Sequence, residues 1–579
     1  MRVAAALLAL TAAVGCEGRA PPSAPPARRP ATQSLLPALG QPTFIRLRDE
    51  TRPAVLLRPG EERSCSVEAQ PGRRLSFVWA VDPGSPAWGY VELQVAAGPD
   101  TIYRTKFSIA RRRRWWPVSV PLSGRGPVKL TFRADHVHAS GRLVEPSREA
   151  PAPWIVVASP RIEAPRAEPG RVLVWISQDA VRADHLSAYG YGRRTSPHFD
   201  RLSPKCVVFE DAMATSSWTL PSLASQFTSR YPLFHGATGE NRPRDAQHRT
   251  VFEVLAGAGF TVLGVTANDF VSSHFGMAHG FDVLRFTGGT EGPEGRQRAA
   301  DLNRLALETL GEWPGGDLAL FVHYMDAHYP YDPPPPFDRL FPADGSDAEG
   351  GGSGPGVKVE AAYDGEIAYT DSQIDMLLKE LDGRGLLRNA VIVYTADHGE
   401  EFLDHGGWRH SRTLYREMLR VPLALRLPGT GGRRVPDTVS LVDLAPTILE
   451  ALGLPHPPSF QGRSLLPLAR GERLPPREVF AETERNPDRS HRVAVQLGSV
   501  KYILRTRNGT PEQRLSEELY DLAADPRERR SDLTHPQAER LRRDATAYLL
   551  RGRAEARKPG TVEAPPELKA RLRALGYLP

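Results

Sequence analysis

The sequence predicts an α/β fold with a doubly wound, mostly parallel sheet, preceded by an antiparallel β-sandwich. From residue 171 onward, near-continuous apolar strands recur: RVLVWISQD, TVLGVTAND, LALFVHYMD and NAVIVYTADHGE. Helical stretches lie between them, for example Ala300 to Trp313 and Asp364 to Leu381. Strands that are apolar throughout are typical of parallel sheets covered by helices on both faces. Residues 40–165 instead carry short alternating segments such as LSFVWAV, YVELQV and VKLTFRA, which is the pattern of a sandwich.

The composition fits a globular protein of two or three domains. The chain has 579 residues, of which 40% are hydrophobic, and this length is enough for more than one core. Its formal net charge is +6, and the excess arginine is spread along the chain. The densest basic run, Arg111 to Arg114, is expected to face solvent at a strand end. We therefore predict no nucleic-acid partner.

The N-terminus has the features of a bacterial export signal. The segment MRVAAALLALTAAVGC combines one basic residue, a short apolar run and small residues before Cys16. Its end, Ala13 to Cys16, resembles a lipobox, so residues 1–16 are expected to be a lipoprotein signal whose cysteine is acylated. Residues 17–39 would be a proline-rich tether from the membrane. An ordinary signal peptide with an incidental cysteine is the alternative.

This N-terminus predicts that the protein is exported and lipid-anchored in the bacterial cell envelope, on the periplasmic or outer-membrane face. The membrane partner would be reached through the lipid on Cys16. Mass spectrometry of the mature protein checks this, because an unmodified N-terminus beyond Cys16 would contradict it. The remaining cysteines, Cys65 and Cys206, are too few for a disulfide framework. We expect two isolated buried thiols, although a single pairing stays open in an oxidising compartment.

Polar residues with metal-binding chemistry follow two of the predicted strands. Asp179 ends the first strand in SQDAVRAD, and Asp397 and His398 end a later one in TADHGEEF. Taken singly, an aspartate after a strand is usually a turn or helix-cap residue. Because sites form at the carboxyl ends of parallel strands, the three side chains together could close on one divalent cation.

Thr219 lies in SSWTLPSLASQFTSR, just ahead of a helix that we expect to begin near Pro221. The residue is predicted to be the N-cap of that helix. It is also predicted to add an oxygen ligand to the metal and to act as the nucleophile. The positive end of a helix favours an anion, and a nearby metal makes a hydroxyl easier to deprotonate.

Six segments in order resemble the sulfatase family of the alkaline phosphatase superfamily. They are SQDAVRADHLSAYGY, SSWTLPSLASQFTSRYPLFHG, YMDAHYPY, YDGEIAYTDSQI, TADHGEEF and RHSRTLYREMLRVPL. The resemblance spans residues 170–480 and implies a metal-dependent ester hydrolase or transferase with an alkaline-phosphatase-like core. FQGRSLLPLARG and ELYDLAADPRE resemble the family's C-terminal region, so residues 481–579 are expected to form a C-terminal subdomain with a helical tail.

The resemblance also implies roles for individual residues. It places metal ligands on Asp179, Asp397 and His398 and the nucleophile on Thr219. His328 falls where the family keeps a substrate-contacting or acid/base histidine, and His410 at a second basic position near the substrate anion or leaving group. Two weaker candidates, His405 and Arg182, would contact these residues and hold them in position without touching the metal. Arg230 is expected to anchor the loop after the helix.

The sequence departs from the family pattern at two positions. Sulfatases carry cysteine or serine at the position of Thr219, followed by x-Pro-x-Arg, and oxidise that residue to formylglycine. This chain has Thr219-Leu220-Pro221-Ser222-Leu223, so formylglycine cannot form and the arginine is missing. Threonine nucleophiles occur in relatives that process phosphoethanolamine and phosphoglycerol groups, which favours a phosphoester substrate. Gln178 replaces an aspartate of many sulfatases, so Mn²⁺ or Zn²⁺ is favoured, with Ca²⁺ still open.

Three hypotheses follow from the sequence. The first is a hydrolase or transferase of sulfate or phosphate esters, on a glycan or a lipid head group, that works through a covalent intermediate on Thr219. The second is a sulfatase without formylglycine, in which Thr219 only binds metal and water attacks. The third is a non-catalytic, lipid-anchored binding protein on a sulfatase-like scaffold. The complete ligand set favours an enzyme over a binding protein.

Overall fold

The computed structural model describes residues 32–82, 89–111, 114–144, 153–163, 167–287, 298–342, 359–485, 488, 490–555, 561 and 563–574. The predictions for Cys16 and for the first part of the tether lie outside these residues, as do Arg112 and Arg113. Among the helices of the described residues, none combines the length and the apolar character needed to cross a membrane.

The main sheet contains the strands of the predicted parallel core. These are β11 (Ala167–Gln178), β12 (Val207–Met213), β13 (Thr261–Thr266), β14 (Val283–Phe286), β15 (Gly315–Tyr324), β16 (Ala390–Ala396), β19 (Arg420–Arg426) and β20 (Arg433–Ser440). Their order is β20-β12-β19-β16-β11-β15-β13-β14. The five strands from β16 to β14 run parallel, whereas β19 runs antiparallel to both of its neighbours. The α/β fold with a mostly parallel sheet is confirmed.

Helices occupy the connections between these strands, and two more helices follow the last strand. They are α2 (Pro197–Leu202), α3 (Thr219–Thr228), α4 (Pro232–His235), α5 (Val251–Gly257), α6 (Ala299–Leu310), α7 (Val359–Gly383), α8 (Arg416–Leu419), α9 (Leu444–Ala451) and α10 (Leu466–Arg470). Helices α3, α5 and α9 contact one another, and α7 contacts both α2 and α6. Two separate helix groups are expected when helices cover both faces of a sheet.

Strand β11 lies inside the sheet, between β16 and β15, and both of its faces are covered, because residues 172–176 are all buried. Trp175 on β11 is completely buried, and its ring lies against Phe227, Phe252 and Phe321 at centroid distances of 5.8, 5.7 and 5.7 Å. The rings of Phe227 and Phe321 are perpendicular to that of Trp175 within about 15°. This aromatic cluster fixes α3 against the sheet, and α3 begins with Thr219.

The N-terminal strands form two antiparallel sheets around a core of their own. The strands are β1 (Thr32–Ser34), β2 (Thr43–Leu47), β3 (Glu50–Leu57), β4 (Glu62–Ala69), β5 (Arg74–Val81), β6 (Tyr90–Ala97), β7 (Asp100–Ser108), β8 (Trp116–Pro121), β9 (Gly126–Val137) and β10 (Ile155–Glu163). One sheet has the order β4-β9-β6-β7. The other, β3-β10-β5-β8, continues the main sheet, because β3 pairs antiparallel with β14 through Thr51 and Leu284. The bounds that we predicted for a separate sandwich domain stay a prediction.

The predicted tether is wrong for its last eight residues, 32–39. Strand β1 pairs with β10 from Thr32 onward, and a short helix, α1 (Leu36–Leu39), follows. Leu35, Leu36 and Leu39 are buried in the sandwich core. Burying three leucines within five residues is more favourable than leaving them in water, as a solvated linker would. The chain therefore packs before the predicted end of the tether.

The C-terminal region forms a further antiparallel sheet, covered by one helix. The strands β21 (Val479–Thr483), β22 (Ser490–Leu497), β23 (Val500–Arg507) and β24 (Thr510–Asp521) pair in that order, and α11 (Ala538–Glu555) contacts the last three. A short helix, α12 (Pro566–Ala574), follows. Cys65 and Cys206 are free and buried in different cores, as predicted.

Candidate active site

Thr219 is the first residue of α3, and the prediction that it caps this helix is wrong. Trp218 holds the N-cap position with an extended backbone, and no side chain caps the helix. The Thr219 hydroxyl instead donates to Asp179 Oδ2 at 3.2 Å and lies 3.3 Å from His398 Nε2. Because the helix begins at Thr219 itself, its side chain is not at the cap position, and the carboxylate of Asp179 accepts its hydrogen bond. The nucleophile candidate therefore faces the predicted metal ligands.

Asp179 and Asp397 come together because β11 and β16 are neighbours. The Asp397 amide donates to the carbonyl of Gln178 at 3.1 Å, which aligns the ends of the two strands. Asp397 Oδ1 accepts from the amides of Ala180 at 3.2 Å and His398 at 2.8 Å. Both carboxyl groups are fully buried. Two aspartates thus converge at the carboxyl edge of the sheet, as the strand pattern predicts.

His398 presents a lone pair to these carboxylates. Its Nδ1 lies 2.8 Å from the Gly399 carbonyl oxygen, which can only accept, so Nδ1 carries the proton of the neutral ring. Its Nε2 lies 3.5 Å from Asp179 Oδ1 and 3.6 Å from Asp397 Oδ2. Burial disfavours the charged imidazole, but the two carboxylates outweigh burial and raise the pKa of His398. The site therefore favours a positive charge between these three groups.

These residues fit a divalent cation. One carboxylate oxygen of each aspartate, Asp179 Oδ1 and Asp397 Oδ2, is buried without a hydrogen-bond partner in the described part of the chain. Ligand atoms of Asp179, Asp397 and His398 all lie within 4.8 Å of one another. A histidine whose second nitrogen is held by a carbonyl is the usual form of a metal-ligating imidazole. Two carboxylates and one imidazole suit Mn²⁺ or Zn²⁺ better than a site built only from oxygen ligands would.

The two carboxylates titrate differently because their neighbours differ. Burial, followed by repulsion from Asp397, raises the pKa of Asp179. Burial also acts to raise the pKa of Asp397, but the nearby His398 and His323 outweigh it and lower that pKa to about 2. In the metal-free protein, Asp179 is therefore the carboxyl group that ionises less readily.

His328 and His410 lie beside this cluster. The His410 ring centroid is 4.6 Å from that of His398 and 4.9 Å from that of His328. His328 Nδ1 lies 2.7 Å from the carbonyl oxygen of Tyr329, and His410 Nδ1 lies 3.0 Å from Glu400 Oε1. Burial lowers the pKa of His328 to about 4, and burial followed by the charge of His398 lowers the pKa of His410 well below its usual range. Both rings are neutral at pH 7, and each keeps its Nε2 lone pair.

Two residues at the site were missed from the sequence. Asn268 Nδ2 donates to Asp179 Oδ2 at 2.9 Å and lies 3.5 Å from Thr219 Oγ1, while its Oδ1 accepts from the Phe270 amide. Asn268 follows β13 in TVLGVTAND, and this position after an apolar strand is the sequence signal that could have identified it. His323 Nε2 lies 3.8 Å from Asp397 Oδ2. It belongs to the buried strand β15, where a sequence pattern gives no sign of function.

The other predicted residues lie around the site. Arg182 pairs with Asp184 at 2.8 Å and Asp404 at 2.9 Å, and donates to the carbonyl of Glu400 at 3.2 Å. It thus holds the segment that carries Glu400, the partner of His410. His405 contacts Glu417 at 2.7 Å and the carbonyl of Glu528, away from the cluster. Arg230 donates to the carbonyl of Ser459 at 2.8 Å.

His235 lies under α3 and makes the protein sensitive to acid. Its Nε2 lies 3.1 Å from the Pro221 carbonyl oxygen and 3.0 Å from Ser225 Oγ, and its Nδ1 accepts from the Ala237 amide. Burial lowers the pKa of His235 to about 3. The histidine of the unfolded chain has a pKa of about 6.5, so below that pH the unfolded chain binds a proton at this position that the folded chain does not bind.

We expect His235 to lower the free energy of unfolding by about 2 kcal/mol as the pH falls from 6.5 to 5. Chemical denaturation at each pH measures the effect. His235→Gln should be less stable at pH 7 but lose less stability on acidification than the wild type. His456→Gln, at an exposed position, is the matched control. Equal pH dependence in His235→Gln and the wild type would contradict the account.

Comparison with known proteins agrees with this geometry. The Sulfatase family profile matches residues 171–454, and a profile described as N-sulphoglucosamine sulphohydrolase, C-terminal, matches residues 404–555. Together they span most of the chain from β11 to α11. The chain belongs to the sulfatase family of the alkaline phosphatase superfamily.

Curated members of the sulfatase family match only parts of the chain. Rat arylsulfatase K is 30% identical over 179 residues, which cover 29% of this chain and 31% of the relative. N-acetylglucosamine-6-O-sulfatase of Bacteroides thetaiotaomicron is 33% identical over 175 residues, covering 29% of this chain and 30% of the relative. The matched segments thus span about a third of the length of these relatives.

Solved structures support the sulfatase fold. Phosphonate monoester hydrolase of Agrobacterium radiobacter superposes with a TM-score of 0.54 at 20% identity, covering 67% of this chain and 96% of that one. A sulfatase-like structure from Bacteroides thetaiotaomicron superposes with a TM-score of 0.53 at 20% identity, covering 69% of this chain and 96% of that one. At 20% identity, the similarity to these two structures is a similarity of fold.

Proposed function

We propose that this sulfatase-family chain is a metal-dependent hydrolase or transferase of phosphate or sulfate esters, with Thr219 as the nucleophile. The observation that carries the proposal is the position of the Thr219 hydroxyl. It lies at the N-terminus of the ten-residue helix α3 and contacts both Asp179 and His398. A hydroxyl at a positive helix end, beside a proton acceptor and a cation site, is arranged for attack on an anionic ester.

The residues can divide the reaction into two steps. The Thr219 hydroxyl, hydrogen-bonded to Asp179 Oδ2, gives up its proton as Oγ1 attacks the phosphorus or sulfur; the bond to the leaving oxygen breaks, and that oxygen takes up a proton as it departs. Asn268 is placed to orient the nucleophile, because its amide touches both Thr219 Oγ1 and Asp179 Oδ2. Water or another alcohol then displaces Thr219 from the covalent ester. The neutral rings of His328 and His410 can accept the proton of that second nucleophile.

Asp179, Asp397 and His398 would hold the metal, with Thr219 beside them. When bound, a divalent cation supplies positive charge that lowers the pKa of a neighbouring hydroxyl and offsets negative charge on the ester. The imidazole ligand favours Mn²⁺ or Zn²⁺.

Phosphoesters are favoured over sulfate esters because Thr219 cannot become formylglycine. Leu223 also stands where the family motif has arginine, and that side chain is fully buried. Substrates on glycans or lipid head groups at the cell envelope are part of the same proposal, since the lipid anchor on Cys16 would hold the enzyme there.

Turnover of matched p-nitrophenyl sulfate, phosphate monoester and phosphodiester substrates tests this proposal. The protein is loaded in turn with Mn²⁺, Zn²⁺ and Ca²⁺. We expect the phosphoesters to be cleaved at least about tenfold faster than the sulfate, with Mn²⁺ or Zn²⁺ supporting the higher rate. Sulfate preference would favour the sulfatase without formylglycine. Tight binding without turnover in any metal would favour the non-catalytic protein.

A further inference from the structure

A groove opens beside the candidate active site, next to the loop that carries His410. Its volume is about 430 Å³, and its lining includes Glu401, His405, Trp408, Arg409, Arg412 and Arg492. Arg409 belongs to both regions, because it lines the groove and directly precedes His410 in the chain. A molecule bound at the histidines could therefore extend into the groove.

The Arg409 side chain is stacked on an aromatic ring, and the charge of the buried Glu400 acts on it without a direct ion pair. Its guanidinium carbon lies 3.6 Å from the centre of the Tyr329 ring, and Tyr329 follows His328. Its Nε is buried and has no hydrogen-bond partner in the described part of the chain. No carboxylate oxygen among the described residues lies within 4.0 Å of this guanidinium. A stacked and ordered arginine without a direct ion pair is suited to receive an anionic group of a ligand.

The backbone around Arg409 has a conformation that glycine would prefer. The φ angles of Arg409 and Ser411, on either side of His410, are 65° and 85°. A left-handed conformation is unfavourable for a residue with a side chain. The backbone conformation therefore gives no reason for arginine at position 409. A function of the Arg409 side chain accounts for arginine at this position better.

The groove carries more positive charge than its own acids offset. Glu401 already accepts from the amides of His405 at 3.2 Å and Gly407 at 2.7 Å, and Asp488 pairs with Arg505. Arg412 is exposed and, like Arg409, has no carboxylate within 4.0 Å among the described residues.

We propose that Arg409 and Arg412 form a second anion-binding subsite, which holds a sulfate, phosphate or carboxylate group of the same substrate molecule. The inference rests on the proposed function, because this second anion belongs to the leaving-group side of the ester that Thr219 attacks. The substrate is then a polyanion, of which one charged group is transferred and another is held. Guanidinium groups bind each of these oxyanions with charge-assisted hydrogen bonds.

A matched pair of nitrophenyl esters tests the subsite. One ester carries a ring carboxylate on the leaving group, and its twin carries the same carboxylate blocked as a methyl ester. We expect the wild type to prefer the carboxylate at least about tenfold in kcat/KM, since one charge-assisted contact contributes roughly 1.5–3 kcal/mol. The preference should fall to near onefold in Arg409→Gln/Arg412→Gln. Arg304→Gln, on the exposed face of α6, removes the same charge elsewhere and should keep the preference.

Calorimetry gives a readout that does not depend on turnover. The metal-loaded protein is titrated with the carboxylated nitrophenol and with its blocked twin. Tighter binding of the carboxylate that depends on Arg409 and Arg412, without any turnover, would support the subsite and overturn the proposed function. Turnover of both esters without preference, and equal binding of both phenols, would overturn the subsite and leave the proposed function standing.

Discussion

Replacing Thr219 with alanine is expected to lower turnover of the preferred ester by at least about 10³-fold, because the substitution removes the nucleophile. Alanine fits the first position of α3, so the fold should persist. Thr219→Ser keeps the hydroxyl and should retain activity within about 100-fold of the wild type. Steady-state kinetics with Mn²⁺ or Zn²⁺ measures both variants. Metal binding should survive in Thr219→Ala, because Asp179, Asp397 and His398 remain.

Thr228→Ala is the matched control. Thr228 is a buried threonine at the other end of α3, and its hydroxyl donates to the Ala224 carbonyl at 2.7 Å. Its removal should change stability by about 1 kcal/mol and turnover by less than about threefold. A Thr219→Ala protein as active as Thr228→Ala would show that Thr219 does not attack the ester.

Asp179→Asn is expected to stabilise the metal-free protein while abolishing its response to metal. Burial and Asp397 raise the pKa of Asp179, so the folded state disfavours its charge at pH 7. Removing that charge should increase the free energy of unfolding without metal. The gain should appear as the pH rises above the unfolded pKa of about 3.9. Mn²⁺ should then raise the melting temperature of the wild type but not of the variant, and turnover should fall at least about 10³-fold.

Asp317→Asn provides the comparison for this effect. Asp317 lies near the start of β15 and pairs with Arg171 at 2.6 Å, far along the strand from the site. Its substitution should lower stability and leave the Mn²⁺ response intact. If Asp179→Asn bound Mn²⁺ as the wild type does, the ligand assignment would be wrong.

The clustering of Asp179, Asp397 and His398 could be predicted from the sequence because local pattern and topology agree. Asp179 and Asp397 each follow an unbroken apolar strand, and such strands are buried in parallel sheets. The structure makes those strands, β11 and β16, direct neighbours. His398 directly follows Asp397 in the chain, so its position near the site follows from that of Asp397.

Thr219 shows where local rules fail. A threonine before a predicted helix is usually a cap, because its hydroxyl can accept from backbone amides. Here the helix begins at Thr219 itself, so Trp218 holds the cap position, and the Thr219 hydroxyl donates to a carboxylate 40 residues away in sequence. Only the tertiary structure reveals this acceptor.

Asn268 and His323 depend on strand order. They reach the site because β13, β15 and β11 are adjacent in the sheet, and no local pattern specifies that order. The pairing of β3 with β14 is equally hidden, since it joins segments more than 200 residues apart. Contacts of this kind follow from packing of the whole chain.

The most direct test of the account is a search for the transferred group on Thr219. The Mn²⁺-loaded wild type and His328→Ala, in which loss of a base should slow the second step, are quenched in acid during turnover. Peptide mass spectrometry then locates any added phosphoryl or sulfuryl group. The account predicts this group on Thr219, with a larger amount in His328→Ala. Turnover with Thr219 unmodified at every time point, or the group on another residue, would contradict it.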